Sequence, residues 1–225
     1  MKRILLTGDS RGVGLSISQN LKKQDYEVVG ISRSGDILSY DLQDSDGIKD
    51  FFHEKIKPHG PFDGFVNNAA IAYDDLITNL DHSKLEKMFK VNVFSPMMLT
   101  KFIIRDMILN KKSGSIVHIS SISAHTGYKG LGMYAATKGA IEAFSKNTAR
   151  EWGQMRIRSN VVCPGFMDTD MSSSLNDSQK KKIFNRNSRR KPIVVEDVAK
   201  SVSFLLSAAS NGITGQVLHV DNGTI

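Results

Sequence analysis

The sequence predicts a doubly wound α/β fold, in which about seven strands form one parallel sheet with flanking helices on both faces. Short β-rich runs alternate with longer helical patterns along almost the whole chain, and this alternation is typical of βαβ units. The length of 225 residues suits one sizeable core, because single α/β domains commonly reach this size. We therefore expect a single domain that spans residues 1–225.

The predicted strands are short runs of aliphatic and β-branched residues. In chain order they are Ile4–Thr7, Glu27–Ser32, a short strand near Leu38–Asp41, Phe65–Asn67, Ser115–Ser120, Arg158–Val162 and Gln216–Val220. Between them, several segments carry apolar residues at three- and four-residue spacing, which predicts helices. These segments are Val13–Gln24, Ser45–Lys57, Ser83–Asn110, Met133–Gly153 and Val195–Ser207.

The composition is that of an ordinary globular protein. Apolar residues make up 40% and charged residues 24% of the chain, which indicates neither disorder nor a disulfide framework. The single cysteine, Cys163, lies in an apolar stretch and is expected to be a buried side chain rather than a nucleophile. No apolar run reaches the ~18 residues of a membrane span, and Lys2–Arg3 lead directly into the first strand without room for a signal peptide. We expect a cytoplasmic protein.

The positive charge of the chain is concentrated in one segment. The net charge is +7, and residues 180–191 hold seven basic residues and no acid, namely Lys180, Lys181, Lys182, Arg186, Arg189, Arg190 and Lys191. Nucleic-acid binding is not expected, because neither a reading motif nor interleaved aromatic residues accompany this segment. Two alternatives remain for it: a local site for an acidic partner, and a solvated helix face.

A glycine-rich turn links the first strand to the first helix. Residues 7–14 read Thr-Gly-Asp-Ser-Arg-Gly-Val-Gly. Glycines at such a turn let the backbone approach a pyrophosphate, and the helix N-terminus offers N–H groups and the positive end of its dipole. The turn therefore predicts a dinucleotide site, whose candidate contact residues are Gly8, Ser10, Arg11, Gly12, Val13 and Gly14.

Further motifs occur along the chain in an order that points to one protein family. They are the glycine spacing Gly-x-x-x-Gly-x-Gly, Asn67-Asn68-Ala69-Ala70, Val91-Asn92-Val93, Ser121 placed 13 residues before Tyr134, Tyr134-x-x-x-Lys138, Pro164-Gly165 with Thr169, and the ending Ile213–Gly223. In these motifs the chain resembles the short-chain dehydrogenase/reductase family, and its pattern is closest to that of 3-oxoacyl-(acyl-carrier-protein) reductases. The resemblance implies a Rossmann-type fold and an NADP-dependent oxidoreductase.

The resemblance also assigns roles to residues of this sequence. It implies a catalytic set of Asn92, Ser121, Tyr134 and Lys138, and cofactor contacts at Asn68, Ala69, Ala70, Tyr134, Lys138, Pro164, Gly165 and Thr169. Asp41 and Leu42 resemble the family's pair beside the adenine. No metal site is expected.

Charge at the end of the second strand indicates which dinucleotide is bound. The strand ends Gly30-Ile31-Ser32-Arg33, where an NAD site usually has an acidic residue for the ribose hydroxyls. Arg33 and Arg11 can instead converge on a 2′-phosphate and make charge-assisted contacts that NAD cannot return. We therefore expect NADP(H), with Ser32 and Arg33 among its contacts.

The chemistry predicted for the site is the reduction of a carbonyl. Tyr134 and Lys138 lie one helical turn apart, although the pair alone is weak evidence because this spacing recurs on surface helices. The Lys138 ammonium is expected to lower the pKa of the phenol, and Ser121 is expected to polarise the carbonyl oxygen. The resemblance implies that Asn92 holds a water that re-protonates the system through Lys138.

Three departures from the family pattern concern the adenosine end. Only eight residues separate Ser32 from Asp41, too few for the helix that the family usually has there. Asp9 replaces a small residue, and its carboxylate would repel the phosphates unless it turns away. Ala70 replaces a glycine. None of these changes removes a catalytic group.

A polar segment, Phe166–Pro192, follows the end of a strand and is expected to be a substrate lid. Thr169–Gln179 resembles the lid of 3-oxoacyl-(acyl-carrier-protein) reductases, which implies a 3-oxoacyl thioester linked to acyl carrier protein or CoA, as in fatty acid biosynthesis. The alternatives are reduction of another ketone, such as a sugar derivative, a polyol or an aromatic ketone, and a non-catalytic NADPH-binding regulator. The long helices resemble those that pair subunits in the family, which implies a homotetramer or homodimer.

Overall fold

The computed structural model describes residues 1–35, 37–168 and 176–225. Within these ranges the chain forms one seven-stranded parallel sheet, which confirms the predicted fold class. Its strands are β1 (Lys2–Thr7), β2 (Tyr26–Ser32), β3 (Leu38–Ser39), β4 (Gly64–Asn67), β5 (Gly114–Ile119), β6 (Ile157–Pro164) and β7 (Val217–Val220). Their ends lie within about two residues of the predicted positions, which is the usual uncertainty of strand and helix ends.

Helices flank both faces of this sheet. They are α1 (Gly12–Lys22), α2 (Ile48–Phe51), α3 (His82–Phe89), α4 (Ser95–Leu109), α5 (Gly132–Trp152), α6 (Asp177–Phe184) and α7 (Val195–Leu206). Apolar side chains of α2 and α4 form the core on one face, and those of α1 and α7 form the core on the other. Neither α5 nor any other helix of the described ranges is long and apolar enough to cross a membrane.

Burial on both faces explains why the strands read as continuous apolar runs. In β1, Leu5 lies in the core beneath α4, whereas Ile4 and Leu6 lie in the core beneath α1 and α7. Successive side chains of a strand point to opposite faces, so a sheet covered on both faces needs apolar residues at every position.

The order of the strands is β3-β2-β1-β4-β5-β6-β7. From β1 the chain extends the sheet in one direction through β2 and β3, and then returns to add β4 on the other side of β1. In open parallel sheets, ligands bind outside the carboxyl ends of the strands at such a reversal. The fold therefore places a ligand crevice between the ends of β1 and β4.

The predicted helix Ser83–Asn110 is interrupted in the structure. A π-helical turn, Lys90–Phe94, separates α3 from α4, and Pro96 lies in the first turn of α4. In the same way, the predicted helix Ser45–Lys57 consists of the short α2 followed by a π-helical turn, Phe52–Ile56. A π turn adds a residue to the helical repeat without changing the apolar character of the segment, so the apolar pattern did not reveal it.

Candidate active site

The candidate site lies along the carboxyl edge of the sheet. The described residues that were predicted for it end a strand, follow one or lie on the adjoining helices: Gly8, Ser10, Arg11, Gly12, Val13, Gly14, Ser32, Arg33, Asp41, Leu42, Asn68, Ala69, Ala70, Asn92, Ser121, Tyr134, Lys138, Pro164 and Gly165. Thr169 and the rest of residues 169–175, within the predicted lid segment 166–192, lie outside the described residues. Because parallel strands end at one edge, residues that are distant in sequence meet there.

The glycine turn has the backbone that a phosphate site needs. Gly8 and Gly12 have φ values of +71° and +54°, in the left-handed region that favours glycine. A side chain on Gly14 would overlap the carbonyl oxygen of Gly8 and the amide of Asn68. Arg11 is the N-cap of α1 without a side-chain capping hydrogen bond, so the first N–H groups of this helix are available to an anion.

Hydrogen bonds tie this turn to the end of β4. The Thr7 hydroxyl accepts hydrogen bonds from the N–H groups of Asn68 and Ala69, both at 3.1 Å. The Asn68 amide donates to the carbonyl oxygens of Thr7 and Gly8, at 3.0 and 3.1 Å. These hydrogen bonds therefore fix the end of β1 relative to the end of β4, and the crevice lies between the two.

The end of β2 has a hydroxyl and a guanidinium that can receive a ligand. The Ser32 hydroxyl is buried and has no hydrogen-bond partner among the described residues. Arg33 is exposed and forms no ion pair with a described residue. Asp9 packs against β2, because a side chain on Gly30 would overlap its carboxylate. One carboxylate oxygen of Asp9 is buried without a described partner, so this acid stays close to the adenosine end.

Asp41 and Leu42 follow β3 and differ in exposure. The Asp41 carboxylate is exposed and accepts a hydrogen bond from the N–H of Gln43 at 3.0 Å, whereas Leu42 is 6% exposed and belongs to the core. The Leu42 carbonyl accepts a hydrogen bond of 2.6 Å from Ser95 at the start of α4. This hydrogen bond ties the segment after β3 to the helical layer that contains α4. The connection between β2 and β3 is too short for a helix.

Tyr134 and Lys138 lie one turn apart on α5 and face the end of β5. Lys138 is 4% exposed, and its ammonium donates a hydrogen bond of 2.8 Å to the carbonyl of Ile119, the last residue of β5. The same nitrogen lies 5.5 Å from the centre of the Tyr134 ring. An ammonium has three N–H donors, so two remain for a ligand.

Burial sets the protonation of this pair. It lowers the pKa of Lys138 to about 8 and raises the pKa of Tyr134 well above its ordinary value, a rise that hydrogen bonding with Ser121 opposes. The pKa of Tyr134 is therefore raised where the sequence led us to expect a lowered value, because desolvation of the phenol is the largest influence on it. Tyr134 keeps its proton at neutral pH.

Ser121 begins a short 3-10 turn directly after β5. Its hydroxyl oxygen accepts a hydrogen bond of 3.2 Å from the N–H of Ser123, so its hydroxyl hydrogen is the part that bonds with Tyr134. The carbonyl oxygen of a substrate placed near Tyr134 could receive this hydrogen.

Asn92 lies in the π-helical turn and is 2% exposed. Its amide nitrogen donates to the carbonyl of Ile71 at 2.8 Å and to the Thr137 hydroxyl at 3.1 Å, and its amide oxygen accepts from the N–H of Ile71 at 2.9 Å. Both N–H groups of this amide are therefore engaged. Asn92 fixes the loop after β4 against α5, and any water that it holds must donate to one of its oxygens.

The end of β6 packs closely against the end of β7. A side chain on Gly165 would lie 2.8 Å from the Cα of Asp221, and the Gly165 N–H donates to the carbonyl of Val220 at 2.9 Å. The chain at Pro164-Gly165 therefore runs directly beside the segment after β7. This contact leaves room only for glycine at position 165.

Sequence reasoning missed a buried acid on the same helix face as the predicted pair. Glu142, one turn after Lys138, is 7% exposed and accepts hydrogen bonds from the Ser120 hydroxyl at 2.5 Å and from the His125 imidazole at 2.9 Å. Its position eight residues after Tyr134 could have revealed it, because this spacing repeats the pattern of the catalytic face.

An open groove extends to Gly132, the first residue of α5 and two residues before Tyr134 in the sequence. Its volume is about 460 Å³, and it is lined by Leu76, Ile77, Tyr128 and their neighbours between residues 75–78 and 127–132. Ile77 is 81% and Leu76 is 42% exposed, which is a high exposure for aliphatic side chains and indicates a surface for an apolar group.

A glycine turn at the reversal of the sheet, beside a serine, a tyrosine and a lysine, defines a dinucleotide-dependent oxidoreductase. Comparison with known proteins agrees: residues 8–224 match the family model described as Enoyl-(Acyl carrier protein) reductase. The chain is 33% identical to the 3-oxoacyl-(acyl-carrier-protein) reductase FabG of Buchnera aphidicola subsp. Schizaphis graminum, over 99% of this chain and 96% of the relative.

Two further comparisons, one of sequence and one of structure, point to the same class of protein. The chain is 36% identical to Carbonyl reductase family member 4 of Xenopus tropicalis, over 96% of this chain and 94% of that protein. The structure described as ElxO with NADP bound superposes with a TM-score of 0.90, is 28% identical, and matches 99% of this chain and 98% of its own. The chain belongs to the short-chain dehydrogenase/reductase family, whose members are NAD(P)-dependent oxidoreductases that act on CH–OH and C=O groups.

Proposed function

We propose that this chain is an NADPH-dependent reductase that converts a 3-oxoacyl thioester, linked to acyl carrier protein or CoA, into the 3-hydroxyacyl thioester. The observation that carries the proposal is the meeting of Ser121, Tyr134 and Lys138 at the carboxyl edge of the sheet, next to an apolar groove. Relatives named 3-oxoacyl-(acyl-carrier-protein) reductase support the substrate class.

The residues of the crevice fit NADP(H). The glycine turn would hold the pyrophosphate, the unpartnered Ser32 hydroxyl and the Arg33 guanidinium would hold the 2′-phosphate, and Lys138 would bind ribose hydroxyls with its two remaining N–H groups. Solved relatives named with bound NADP or NADPH support this cofactor. When bound, the cofactor supplies the hydride that reduces the substrate carbon.

The protein groups supply the proton and the charge stabilisation. Ser121 donates a hydrogen bond to the substrate carbonyl oxygen, and the protonated Tyr134 transfers its proton to that oxygen as the carbon is reduced. The ammonium of Lys138 stabilises the tyrosinate that results. The tyrosinate then recovers a proton from solvent through Lys138 and a water held by an oxygen of Asn92.

The groove favours an acyl substrate over the alternative ketones. Its exposed Leu76 and Ile77 offer apolar contact to an acyl chain, whereas a sugar or polyol would need several hydrogen-bonding groups. Docking of an acidic carrier falls to Lys181 and Lys182, which are exposed on α6. Lys180 is paired with Asp168 at 2.6 Å, so less of its charge is available.

Tyr134→Phe tests the function. This variant should keep NADPH binding, measured by fluorescence, and lose turnover by a factor of ~10² or more, the scale of a positioned acid. The matched control is Tyr26→Phe at the start of β2, which should retain turnover. Near-normal turnover in Tyr134→Phe would overturn the assignment.

A substrate panel tests the class. NADPH consumption with 3-oxoacyl thioesters, but not with sugar, polyol or aromatic ketones, is the expected result. Consumption only with another ketone would replace the substrate proposed here. NADPH binding without oxidation of any compound would indicate a cofactor-binding regulator.

A further inference from the structure

Three potential metal ligands meet near the carboxyl edge of the sheet, and one of them, Cys163, lies close enough to Tyr134 and Lys138 to influence both electrostatically. They are His125 after β5, Cys163 on β6 and His219 on β7, and their ligand atoms all lie within 4.8 Å of one another. Cys163 is buried and the two histidines are exposed, so the group opens to solvent on the imidazole side. The proposed reductase chemistry uses none of these three residues.

The sheet itself brings two of the ligands together. Cys163 and His219 are register partners in the parallel ladder between β6 and β7, so their side chains leave the same face of adjacent strands. That face is covered by α5, because Ser159, four residues before Cys163 on β6, bonds to Ser145 of α5 at 2.8 Å. The pairing of β6 with β7 therefore places Cys163 and His219 side by side.

The third ligand is held by a buried carboxylate. The Nε2 atom of His125 lies 2.9 Å from the Glu142 carboxylate, and the His125 and His219 rings meet edge to face with centres 4.7 Å apart. Since Nε2 is engaged with Glu142, Nδ1 is the His125 atom left for a metal. A carboxylate that accepts from the far nitrogen of a ligating histidine is a common outer support of metal sites.

We propose that His125, Cys163 and His219 form a binding site for a zinc-class divalent cation, with Glu142 as the support of His125. One thiolate and two imidazoles are a ligand set that Zn²⁺ accepts in tetrahedral geometry, with a fourth position for water. Zn–S and Zn–N bonds of about 2.3 and 2.1 Å place tetrahedral ligand atoms roughly 3.5 Å apart, so atoms now as much as 4.8 Å apart must approach by up to about 1 Å. Rotation of exposed side chains supplies that movement, and binding releases the thiol proton to solvent.

Cobalt titration of the purified full chain tests the site. Co²⁺ is the probe because a cobalt–thiolate bond gives a charge-transfer absorption in the near ultraviolet, and Cys163 is the single cysteine of the chain. We expect one equivalent of Co²⁺ to produce this band and Zn²⁺ to displace it. Absence of the band in the unaltered protein overturns the proposal.

Substitutions separate this site from adventitious binding by surface histidines. Cys163→Ser should abolish the band, His219→Ala should weaken binding at least about tenfold, and Glu142→Gln should weaken it about 10- to 100-fold. The control is His82→Ala, at the exposed start of α3, which should bind as the unaltered protein does. If Cys163→Ser fails to fold, His219→Ala decides, because its side chain lies on an exposed edge strand. Unchanged affinity in His219→Ala overturns the proposal.

Discussion

Lys138 combines a buried position with a charge. Its ammonium has one protein acceptor, the Ile119 carbonyl, and burial lowers its pKa to about 8. The same enclosure keeps Tyr134 protonated. The site therefore holds a proton donor and a cation in the states that reduction needs, and the fold bears the cost of burying the cation at neutral pH.

This cost predicts a pH-dependent effect of Lys138→Met. The folded pKa of about 8 lies below the ordinary 10.5, so the unfolded chain binds more protons between these values and the stability of the unaltered protein rises with pH there. The methionine variant lacks this rise. Its stability relative to the unaltered protein should fall by about 2–3 kcal/mol between pH 7 and pH 10, as measured by urea unfolding.

The control for this measurement is Lys146→Met, on an exposed position of the same helix. It should track the unaltered protein at both pH values. Parallel stability curves for Lys138→Met and the unaltered protein would contradict the burial argument.

Two opposite charges at the end of β2 bear on the proposed preference for NADPH. In the proposed site the exposed Arg33 would contact the 2′-phosphate, whereas the Asp9 carboxylate, which packs against Gly30, would repel it. We expect Arg33→Ala to weaken NADPH binding about three- to tenfold and to leave NADH binding unchanged. Asp9→Asn, a neutral variant of the same shape, should tighten NADPH binding by a similar factor.

Both effects are measured by fluorescence titration with the two cofactors. Equal losses of NADPH and NADH in Arg33→Ala would show a general role of the arginine rather than contact with the 2′-phosphate.

At the scale of single residues, the order and spacing of motifs predicted which side chains gather at the strand ends. They did not predict the residues that pack around those side chains. Tyr134, Lys138 and Ser121 could be predicted because each lies in a motif with fixed spacing. Glu142 and the His125–Cys163–His219 group could not, because each of their contacts joins separate elements and depends on the register of β6 and β7. The rise in the Tyr134 pKa is likewise a property of packing.

In the turn that connects β1 to α1, neighbouring atoms lie so close to Gly14 that no side chain fits there. At Gly14 a methyl group would overlap the Gly8 carbonyl and the Asn68 amide. Gly14→Ala should therefore weaken NADPH binding more than tenfold and destabilise the protein by about 1–3 kcal/mol, measured by titration and by urea unfolding.

Gly139→Ala provides the matched comparison. Gly139 lies within α5, and nothing lies within 4 Å of the position that a methyl group would take. Alanine should stabilise this helix by about 0.5–1 kcal/mol. Equal effects of the two substitutions would mean that the Gly14 overlap is relieved at little cost.

At the scale of elements, apolar periodicity predicted the positions of strands and helices and failed where the helical repeat changes. The two π-helical turns keep the apolar character of their segments, so the sequence shows one long helix where the chain forms α3 and α4. No apolar repeat marks helix α6, for whose basic residues a solvated helix face was one of two alternatives; the helix is polar and stabilised by its own capping box, in which Asn176 and Gln179 bond to each other's backbone. Capping needs only two side chains and leaves no periodic pattern.

The molecule as a whole presents apolar side chains that the single chain does not cover. Phe94, the last residue of the π-helical turn, and Met97, at the start of α4, are 46% and 36% exposed, whereas Phe102 on α4 is 4% exposed and belongs to the core. We expect the chain to form homodimers or homotetramers through this part of α4, with a mass two or four times that of the chain in light scattering. Phe94→Asp combined with Met97→Asp should lower the mass.

Ile37→Asp is the control for the assembly measurement. Ile37 is 49% exposed and lies directly before β3, the edge strand of the sheet. Its replacement should leave the mass unchanged. A monomer in the unaltered protein would contradict the assembly.

The two edges of the sheet differ in what they expose to other chains. At one edge β3 offers two residues of unpaired main chain, too few to template another strand, while at the other β7 offers four and carries Leu218, which is 36% exposed. Edge-to-edge aggregation on heating or at high concentration should therefore begin at β7. A lysine in place of Leu218 would act as a gatekeeper against it, at a position far from the glycine turn.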